Sequence, residues 1–204
     1  MTLPSPLLLA GRLALDFANL PSLPALPAAN GLSWEELIAF LRATHVVSAD
    51  RAEELLNLTE SDPQSAFDLL NRAERLRNAL RAAFHALTHK TRIVREHVQT
   101  INSVLRVTEG HDELIEAVRG WRLEYVARES GLDWLLAAVA RSAAEMILEG
   151  EATRVRLCVN PACTLFFYDS SRTHRRRWCS MALCGNRSKV AAFARRHNSH
   201  RRTT

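Results

Sequence analysis

The chain has 204 residues, of which 47% are hydrophobic and 24% are charged, and this composition is typical of a folded protein and excludes wholesale disorder. Its net charge of +5 is unevenly divided: residues 1–150 carry 15 Lys and Arg against 20 Asp and Glu, whereas residues 151–204 carry 12 against two. The longest apolar run, Trp134 to Ala140, is far shorter than the roughly 20 residues of a membrane span, and no signal peptide is recognisable. We therefore expect a cytoplasmic protein without a membrane partner.

Helix-start signals follow a proline-rich stretch near the N-terminus. Proline at every third position predicts an extended loop over residues 20–31. Ser33 and Glu36 have the spacing of a capping box, so we expect a helix to begin there and to bury Leu37 and Ile38.

Two further helix starts precede a long apolar stripe. Ser48 can cap a short helix, and Asp62 followed by Pro63 is an N-cap with proline at the first helical position. From there apolar side chains recur every three or four residues as far as Leu87, which predicts one long amphipathic helix. The same period continues through residues 94–105 and predicts a further helix.

The period changes beyond this point. Residues 114–118 and 121–126 flank a short turn and predict a small hairpin. A last helix is expected from about Leu132 to Glu149, with Gly150 as its stop. The first 150 residues are therefore predicted to be a mostly α domain with a small β-hairpin, in which core packing is the simplest role of every apolar stripe.

All four cysteines lie in the basic segment 151–204, as Cys158, Cys163, Cys179 and Cys184 with the spacing C-x4-C-x15-C-x4-C. Two close pairs separated by a dozen or more residues can supply the four tetrahedral ligands of zinc. The segment has too few apolar residues for a core of its own, so metal binding should be required for its folding. We predict one structural Zn²⁺, because four thiolates leave no position for a catalytic water. An iron–sulfur cluster and free or disulfide-linked cysteines are the alternatives.

The chain around the cysteines predicts a small finger made of a β-hairpin and a helix. Residues 164–168 are β-prone and residues 169–172 are turn-prone, which together suggest half of a hairpin. After the last cysteine, Gly185 offers a flexible step into a helix with Val190 and Phe193 on one face.

Two parts of the sequence resemble known families. The pattern Cys158-x4-Cys163, followed by Arg177-Trp-Cys-Ser-Met-x2-Cys-Gly-Asn-Arg187, is similar to the CGNR zinc finger, which is named for the tetrapeptide at positions 184–187. Upstream, Gly11-Arg-Leu-Ala-Leu-Asp-Phe-x-Asn19 resembles the opening of the ABATE domain, which precedes this finger in bacterial proteins described as stress-induced transcriptional regulators. The resemblance implies a helical ABATE-like domain over residues 1–150, a zinc finger over residues 151–204, and DNA binding.

The basic residues of the finger are candidates for contact with nucleic acid. Eleven of its 12 cations are arginines, whose forked donors suit phosphate and guanine. The predicted nucleic-acid-binding residues are Arg172, Arg175, Arg176, Arg177, Arg187, Lys189, Arg195 and Arg196. For Arg177 and Arg187, which adjoin the cysteines, neutralisation of the zinc–thiolate charge is an equal alternative.

The sequence thus predicts a zinc-binding and DNA-binding transcriptional regulator whose first 150 residues sense a small-molecule effector or form a homodimer. Two fingers on two half-sites would compensate for the small area that one module buries on DNA. An RNA-binding zinc module and a protein-interaction clamp are the alternative functions. Catalysis is not expected, because no pattern brings Asp16, His85, His89 and His97 together, although His85 and His89 have the spacing of half a metal site.

Overall fold

Seven α-helices, a further helical segment over residues 181–191 and two small antiparallel sheets are the main elements of the part of the chain that the computed structural model describes, residues 6–20, 31–107, 110–117, 120–127, 132–191 and 193. The helices are α1 (Leu13–Ala18), α2 (Trp34–Ala43), α3 (Ala49–Leu56), α4 (Leu58–Ser61), α5 (Pro63–Thr88), α6 (Arg95–Val107) and α7 (Ala137–Leu148). The strands are β1 (Gly110–Ala117), β2 (Gly120–Ala127), β3 (Val155–Leu157) and β4 (Phe166–Tyr168). The predicted mostly helical fold is confirmed, and no helix in these ranges is long and apolar enough to cross a membrane.

The predicted capping signals begin three of the helices. The Ser33 hydroxyl accepts a hydrogen bond from the Glu36 amide at 3.2 Å, and the Glu36 carboxylate accepts one from the Ser33 amide at 2.9 Å. The side chains of Ser48 and Asp62 cap α3 and α5 by accepting hydrogen bonds from the amides of Arg51 and Ser65. Most of the predicted proline-rich loop, residues 21–30, lies outside the described residues.

Helix α5 is the centre of the helical body. Its buried residues are Ala66, Leu69, Ala73, Leu76, Ala79, Leu80, Ala83 and Phe84. Helices α1, α2, α6 and α7 contact it, and Phe40 of α2 lies with its ring centre 5.5 Å from that of Phe17 in α1. The three-to-four-residue period of α5 therefore marks the face on which the body assembles.

Two details differ from the sequence-based expectation. Val94 is 58% exposed because α6 begins one residue later, and the Val94 carbonyl accepts the hydrogen bond of the His97 amide. The apolar period of the last predicted helix places Ile147 inward, but Met146 is the fully buried residue there and Ile147 packs at the edge of the core. The predicted stop is confirmed, since α7 is followed by Gly150 with a φ of +54°, a conformation that glycine adopts without strain.

The predicted hairpin is present and longer than expected. Strands β1 and β2 pair in antiparallel register from Gly110 opposite Ala127 to Ala117 opposite Gly120. The two residues that join them, 118 and 119, lie outside the described residues.

The second sheet is assembled differently from the prediction. Strand β4 pairs with β3, which precedes the first cysteine pair, and not with a strand that would follow residues 169–172. The pairing places Val155 opposite Tyr168 and Leu157 opposite Phe166, and the Cys158 amide extends the ladder by donating to the Leu165 carbonyl at 3.0 Å. The first cysteine pair therefore lies in the loop of this hairpin.

Strand β4 lies between two clusters of buried side chains. Phe166 belongs to the core of the helical body, where its ring centre is 6.1 Å from that of Phe84. Phe167 points to the opposite face and belongs to the cluster that contains the four cysteines. This alternation is the two-residue period of a β-strand. The division of the chain at residue 150 stays a prediction, because the buried core of the helical body extends beyond it to Val155 and Phe166.

A single asparagine holds the backbone of β4. The Asn19 amide group donates to the Phe166 carbonyl at 2.8 Å, and its oxygen accepts from the Phe166 amide at 2.9 Å. The Tyr168 amide donates to the Ala10 carbonyl at 2.8 Å. Strand β4 thus uses its outer edge to bind the segment that leads into and out of α1.

Side chains reinforce this junction between the body and β4. The Arg12 guanidinium lies 4.5 Å from the centre of the Tyr168 ring and 3.3 Å from the Glu149 carboxylate. The Arg81 guanidinium donates to the carbonyls of Ala18 and Thr164, which joins α1 to the loop that leads into β4. Burial lowers the pKa of Arg81.

Asp16 shapes the turn that precedes α1. Its carboxylate is buried and accepts a hydrogen bond from the Ala10 amide at 2.8 Å. Burial raises the pKa of Asp16, and hydrogen bonds from the backbone amides of Ala10, Leu9 and Gly11 oppose that rise. The residues that carry the ABATE resemblance, Gly11 to Asn19, therefore form the turn before α1, helix α1 itself and the Asn19 contact with β4. We call the two hydrogen bonds between the Asn19 side chain and the Phe166 backbone the clasp.

Replacing Asn19 by alanine tests the clasp. Asn19→Ala leaves the buried amide and carbonyl of Phe166 without partners, so we expect the free energy of unfolding to fall by about 2–4 kcal/mol. Urea unfolding of the zinc-loaded chain measures the change. The exposed Asn78→Ala is the control and should change stability by less than about 0.5 kcal/mol; an equal loss for both variants would contradict the role of the clasp.

Candidate metal centre and nucleic-acid interface

The first cysteine pair is positioned by the loop between β3 and β4. Cys158 directly follows β3, and the Cys163 amide donates to the Asn160 carbonyl at 2.8 Å to close a tight turn. The Asn160 side-chain oxygen accepts from the Ala162 amide at 3.2 Å, as expected for an Asn-Pro turn. Both sulfurs are thereby brought to the same side of the loop.

The second pair lies at the start of the last helix. Ser180 caps it by accepting from the Leu183 amide, Met181–Gly185 is a π-helical turn, and residues 186–191 continue as helix. Cys184 lies inside this turn, so the expectation that Gly185 is a flexible step before the helix is wrong. The helix begins earlier because the Ser180 cap precedes Cys184 by four residues.

The four sulfurs converge. All four cysteines are buried, and their Sγ atoms lie within 4.8 Å of one another. The Cys163 and Cys179 sulfurs are 3.8 Å apart, and those of Cys179 and Cys184 are 3.6 Å apart. A tetrahedron of thiolates about 2.3 Å from zinc has edges of about 3.8 Å, so these separations fit a zinc ion and are too long for disulfide bonds.

The surroundings of the sulfurs favour charge on one of them. Burial by itself raises the pKa of the Cys184 thiol, but hydrogen bonds from the Asn160 side chain, at 3.4 Å, and from the other cysteines lower it below the ordinary value. Burial raises the pKa of Cys163 to about 11, and it also raises that of Cys179. Metal ligands must be thiolates, so metal binding at this site releases protons.

Asp169 organises the loop between β4 and the second cysteine pair. Its side chain is fully buried and accepts hydrogen bonds from the Ser171 amide at 3.1 Å and the Arg176 amide at 3.0 Å. The Arg156 guanidinium lies 2.9 Å from the same carboxylate. Burial alone raises the pKa of Asp169, but these hydrogen bonds and the guanidinium outweigh that effect and lower it. The charge of Asp169 is therefore fully compensated inside the finger.

The predicted nucleic-acid-binding residues fall into three groups. Four of them are exposed and make no side-chain hydrogen bond or ion pair within the described part of the chain, namely Arg172, Arg175, Arg177 and Lys189. Two bind groups of the finger itself. The half-buried Arg176 donates to the carbonyls of Trp178 and Cys179. Arg187 is exposed, but it donates to the Leu183 carbonyl at 2.8 Å and to the Cys184 sulfur at 3.8 Å. The remaining two, Arg195 and Arg196, lie outside the described residues.

Arg176 and Arg187 thus make the contacts of structural residues. The Arg176 guanidinium lies 4.6 Å from the centre of the Phe167 ring, under the buried face of β4. Arg187 brings a positive charge to the cysteine cluster, in line with the neutralising role that the sequence left open for it. Arg177 stacks near the Trp178 ring at 5.3 Å while its side chain stays exposed.

The histidines and Asp16 do not form a second site. Among the described residues, the four cysteines are the one group of three or more side chains with metal-ligating geometry. The rings of His85 and His89 stack with their centres 4.2 Å apart, and the His89 Nδ1 lies 2.9 Å from the His85 carbonyl. Asp16 contacts backbone amides of its own turn.

Sequence reasoning assigned no structural role to three residues that shape the finger and its surface, Asn19, Arg154 and Arg156. Arg154 and Arg156 flank the buried Val155, and this alternation could have marked both as exposed residues of a strand. The role of Asn19 left no such signal, because its partner lies 147 positions away in the sequence.

A buried tetrathiolate cluster on a hairpin and a helix, joined to a helical body, defines a zinc-finger protein of the four-cysteine type, and it fits one structural zinc ion. The chain belongs to the ABATE family, described as "Putative stress-induced transcription regulator", which matches residues 11–150. Residues 154–197 match the family described as "CGNR zinc finger", so both resemblances are confirmed in the expected order. No curated protein sequence matches the chain.

Replacing one cysteine tests the metal centre. Cys179→Ser removes one of four thiolates that share roughly 10–16 kcal/mol of binding energy, so we expect zinc affinity to fall by about 100-fold or more. Competition with a chromophoric chelator measures the affinity, and elemental analysis should find one zinc per wild-type chain. Thr173→Ser, an exposed change between the pairs, is the control; wild-type affinity in Cys179→Ser would contradict the site.

Proposed function

We propose that this protein is a zinc-dependent transcriptional regulator that binds DNA through its C-terminal finger, residues 151–204, and acts in the cytoplasm. Zinc held by Cys158, Cys163, Cys179 and Cys184 would fix the finger, because its own apolar cluster is small. The helical body, residues 1–150, would sense an effector or form a dimer. The proposal assigns no catalytic step to either part, since four thiolates leave zinc without an open position.

One observation carries the assignment of a polyanion as the partner. The finger exposes Arg172, Arg175, Arg177 and Lys189, while its buried acid, Asp169, is already neutralised. No carboxylate of the described residues lies within 4.0 Å of these four cations. A surface of unpaired arginines attracts the phosphate backbone and releases its counterions.

The division of roles among the arginines sharpens the proposal. Arg176 and Arg187 are engaged with backbone carbonyls and a cysteine sulfur, so we assign them to the integrity of the finger. Arg172 and Arg175 make no such contacts within the described part of the chain, and we assign them to phosphate. Loss of the first kind would lower stability, whereas loss of the second would lower affinity alone.

A salt titration of binding to a short labelled duplex tests this function. If six phosphates are engaged, the slope of log K against log salt should be roughly −5 for the zinc-loaded chain. Removing two contacts with Arg172→Gln/Arg175→Gln should reduce the slope by about 1.8, with zinc content unchanged. The double variant Arg42→Gln/Arg75→Gln removes two exposed charges from the body and serves as the control.

The same titration separates the competing functions. A salt-independent affinity, or no binding by the zinc-loaded chain, would contradict the proposal and favour a protein-interaction clamp. Displacement of the duplex by a much smaller amount of structured RNA would assign the finger to RNA, because the same cations serve any phosphate backbone.

A further inference from the structure

A groove of about 1060 Å³ lies between the helical body and the finger. One wall is the end of α5 and the loop over residues 89–93, and the other is formed by residues 152–159, which include β3. Residues 174, 176 and 177 from the loop before the second cysteine pair complete it. The groove thus joins two segments that are more than 50 positions apart in the sequence.

The lining of the groove is strongly cationic. Lys90 and Arg92 come from the body, Arg154 and Arg177 from the finger, and all four are exposed. Two further cations line the groove: Arg156 is neutralised by its ion pair with Asp169, and Arg176 donates to the carbonyls of Trp178 and Cys179. None of the described side chains that line the groove is acidic. The four other cations have no carboxylate within 4.0 Å among the described residues.

This charge is opposite to that of the rest of the body. Residues 1–150 carry a net charge of −5, and Lys90 and Arg92 are two of their 15 cations, placed next to the finger by the end of α5. Unpaired cations that face one another across a groove repel unless an anion lies between them. The arrangement therefore favours a ligand with several negative charges.

The backbone holds two residues of the groove in a fixed and uncommon conformation. Lys90 has a φ of +53° and His174 a φ of +49°, values that side-chain-bearing residues seldom adopt. The Lys90 amide donates to the Leu87 carbonyl at 3.2 Å, and the His174 carbonyl accepts from the Arg156 guanidinium at 2.6 Å. At Lys90 this is the usual end of a helix, since the Thr91 amide also donates to the Ala86 carbonyl at 2.9 Å, and it fixes the direction in which the loop with Lys90 and Arg92 leaves α5.

Arg177 connects the groove to the surface that we assign to DNA. It lines the groove, is exposed, and follows the exposed Arg175 by two positions in the chain. A phosphate backbone bound at Arg175 and Arg177 would thus continue toward Lys90 and Arg92. Pockets for small effectors are mainly apolar with a few polar groups, and the four unpaired cations of this groove do not match that description.

We propose that the groove binds the phosphodiester backbone of the nucleic acid, so that Lys90 and Arg92 of the helical body are part of the binding surface. The inference rests on the proposed function and deepens it, because it adds the helical body to the parts of the protein that contact the nucleic acid. It also fixes the orientation of the ligand, which must pass along the junction between α5 and β3 and not over the finger alone.

The test compares two double variants of the zinc-loaded full chain. Lys90→Asn/Arg92→Gln removes both body charges, and asparagine suits the left-handed backbone at position 90. We expect the salt slope of duplex binding to fall by about 1.8, and the affinity near 0.1 M salt to fall roughly ten- to sixtyfold. Arg42→Gln/Arg75→Gln should stay within about twofold of the wild type, and zinc content and circular dichroism should be unchanged in both.

Each result supports or overturns the groove assignment. Equal affinities of the two variants, with strong binding by the wild type, would overturn it and leave the finger as the sole contact. Calorimetry with inorganic pyrophosphate alone is the second arm. If pyrophosphate binds the wild type but not Lys90→Asn/Arg92→Gln, while duplex affinity is the same for both, the groove takes free phosphates and the assignment is wrong. Absence of duplex binding by the wild type would remove the proposed function and this inference together.

Discussion

The alternation of side chains along β4 is the constraint on which the structure depends. The three residues of this strand have to pack against the core of the helical body on one face and against the cysteine cluster on the other. Phe166 fills the first and Phe167 the second, and both are almost completely buried. Because the strand is so short, its backbone needs a partner on each edge. Strand β3 supplies one, and Asn19 with the Ala10 carbonyl supplies the other.

This constraint explains how a small metal-dependent finger can be held in a fixed position. The finger has few buried apolar residues of its own, and Leu7 from the N-terminal segment packs against its cysteine cluster. Zinc would contribute the energy that this cluster lacks, and the body contributes the surface on which β4 rests. The exposed cations of the finger and those of the α5 loop are therefore held in one arrangement, which is the basis for assigning them a common ligand.

The features that depend on neighbouring residues could be predicted from the sequence, and those that depend on distant ones could not. The Ser33 and Asp62 caps, the long apolar period of α5 and the two cysteine pairs are local patterns, and each has a direct structural counterpart. The pairing of β4 was predicted on the wrong side, because strand pairing is set by packing across the chain and not by local propensity.

The same limit applies to the arginines. Nothing in the run Arg175-Arg176-Arg177 indicates that the middle residue turns inward, since that depends on the position of the Phe167 ring and of two carbonyls. The groove could not be predicted either, because Lys90 and Arg154 line a common groove only after the body and β3 have packed. The charge division of the chain indicated a basic finger, and the structure adds Lys90 and Arg92 of the body, which line the same groove as the finger.

Amide hydrogen exchange of the full chain, measured with zinc bound and after chelation, tests most directly whether β4 couples the metal centre to the body. The account predicts that zinc removal speeds exchange in the cysteine loops, in β4, and also in α1 and the last turns of α5, which contact the two strands. Faster exchange confined to residues 158–191, with α1 and α5 unchanged, would contradict it.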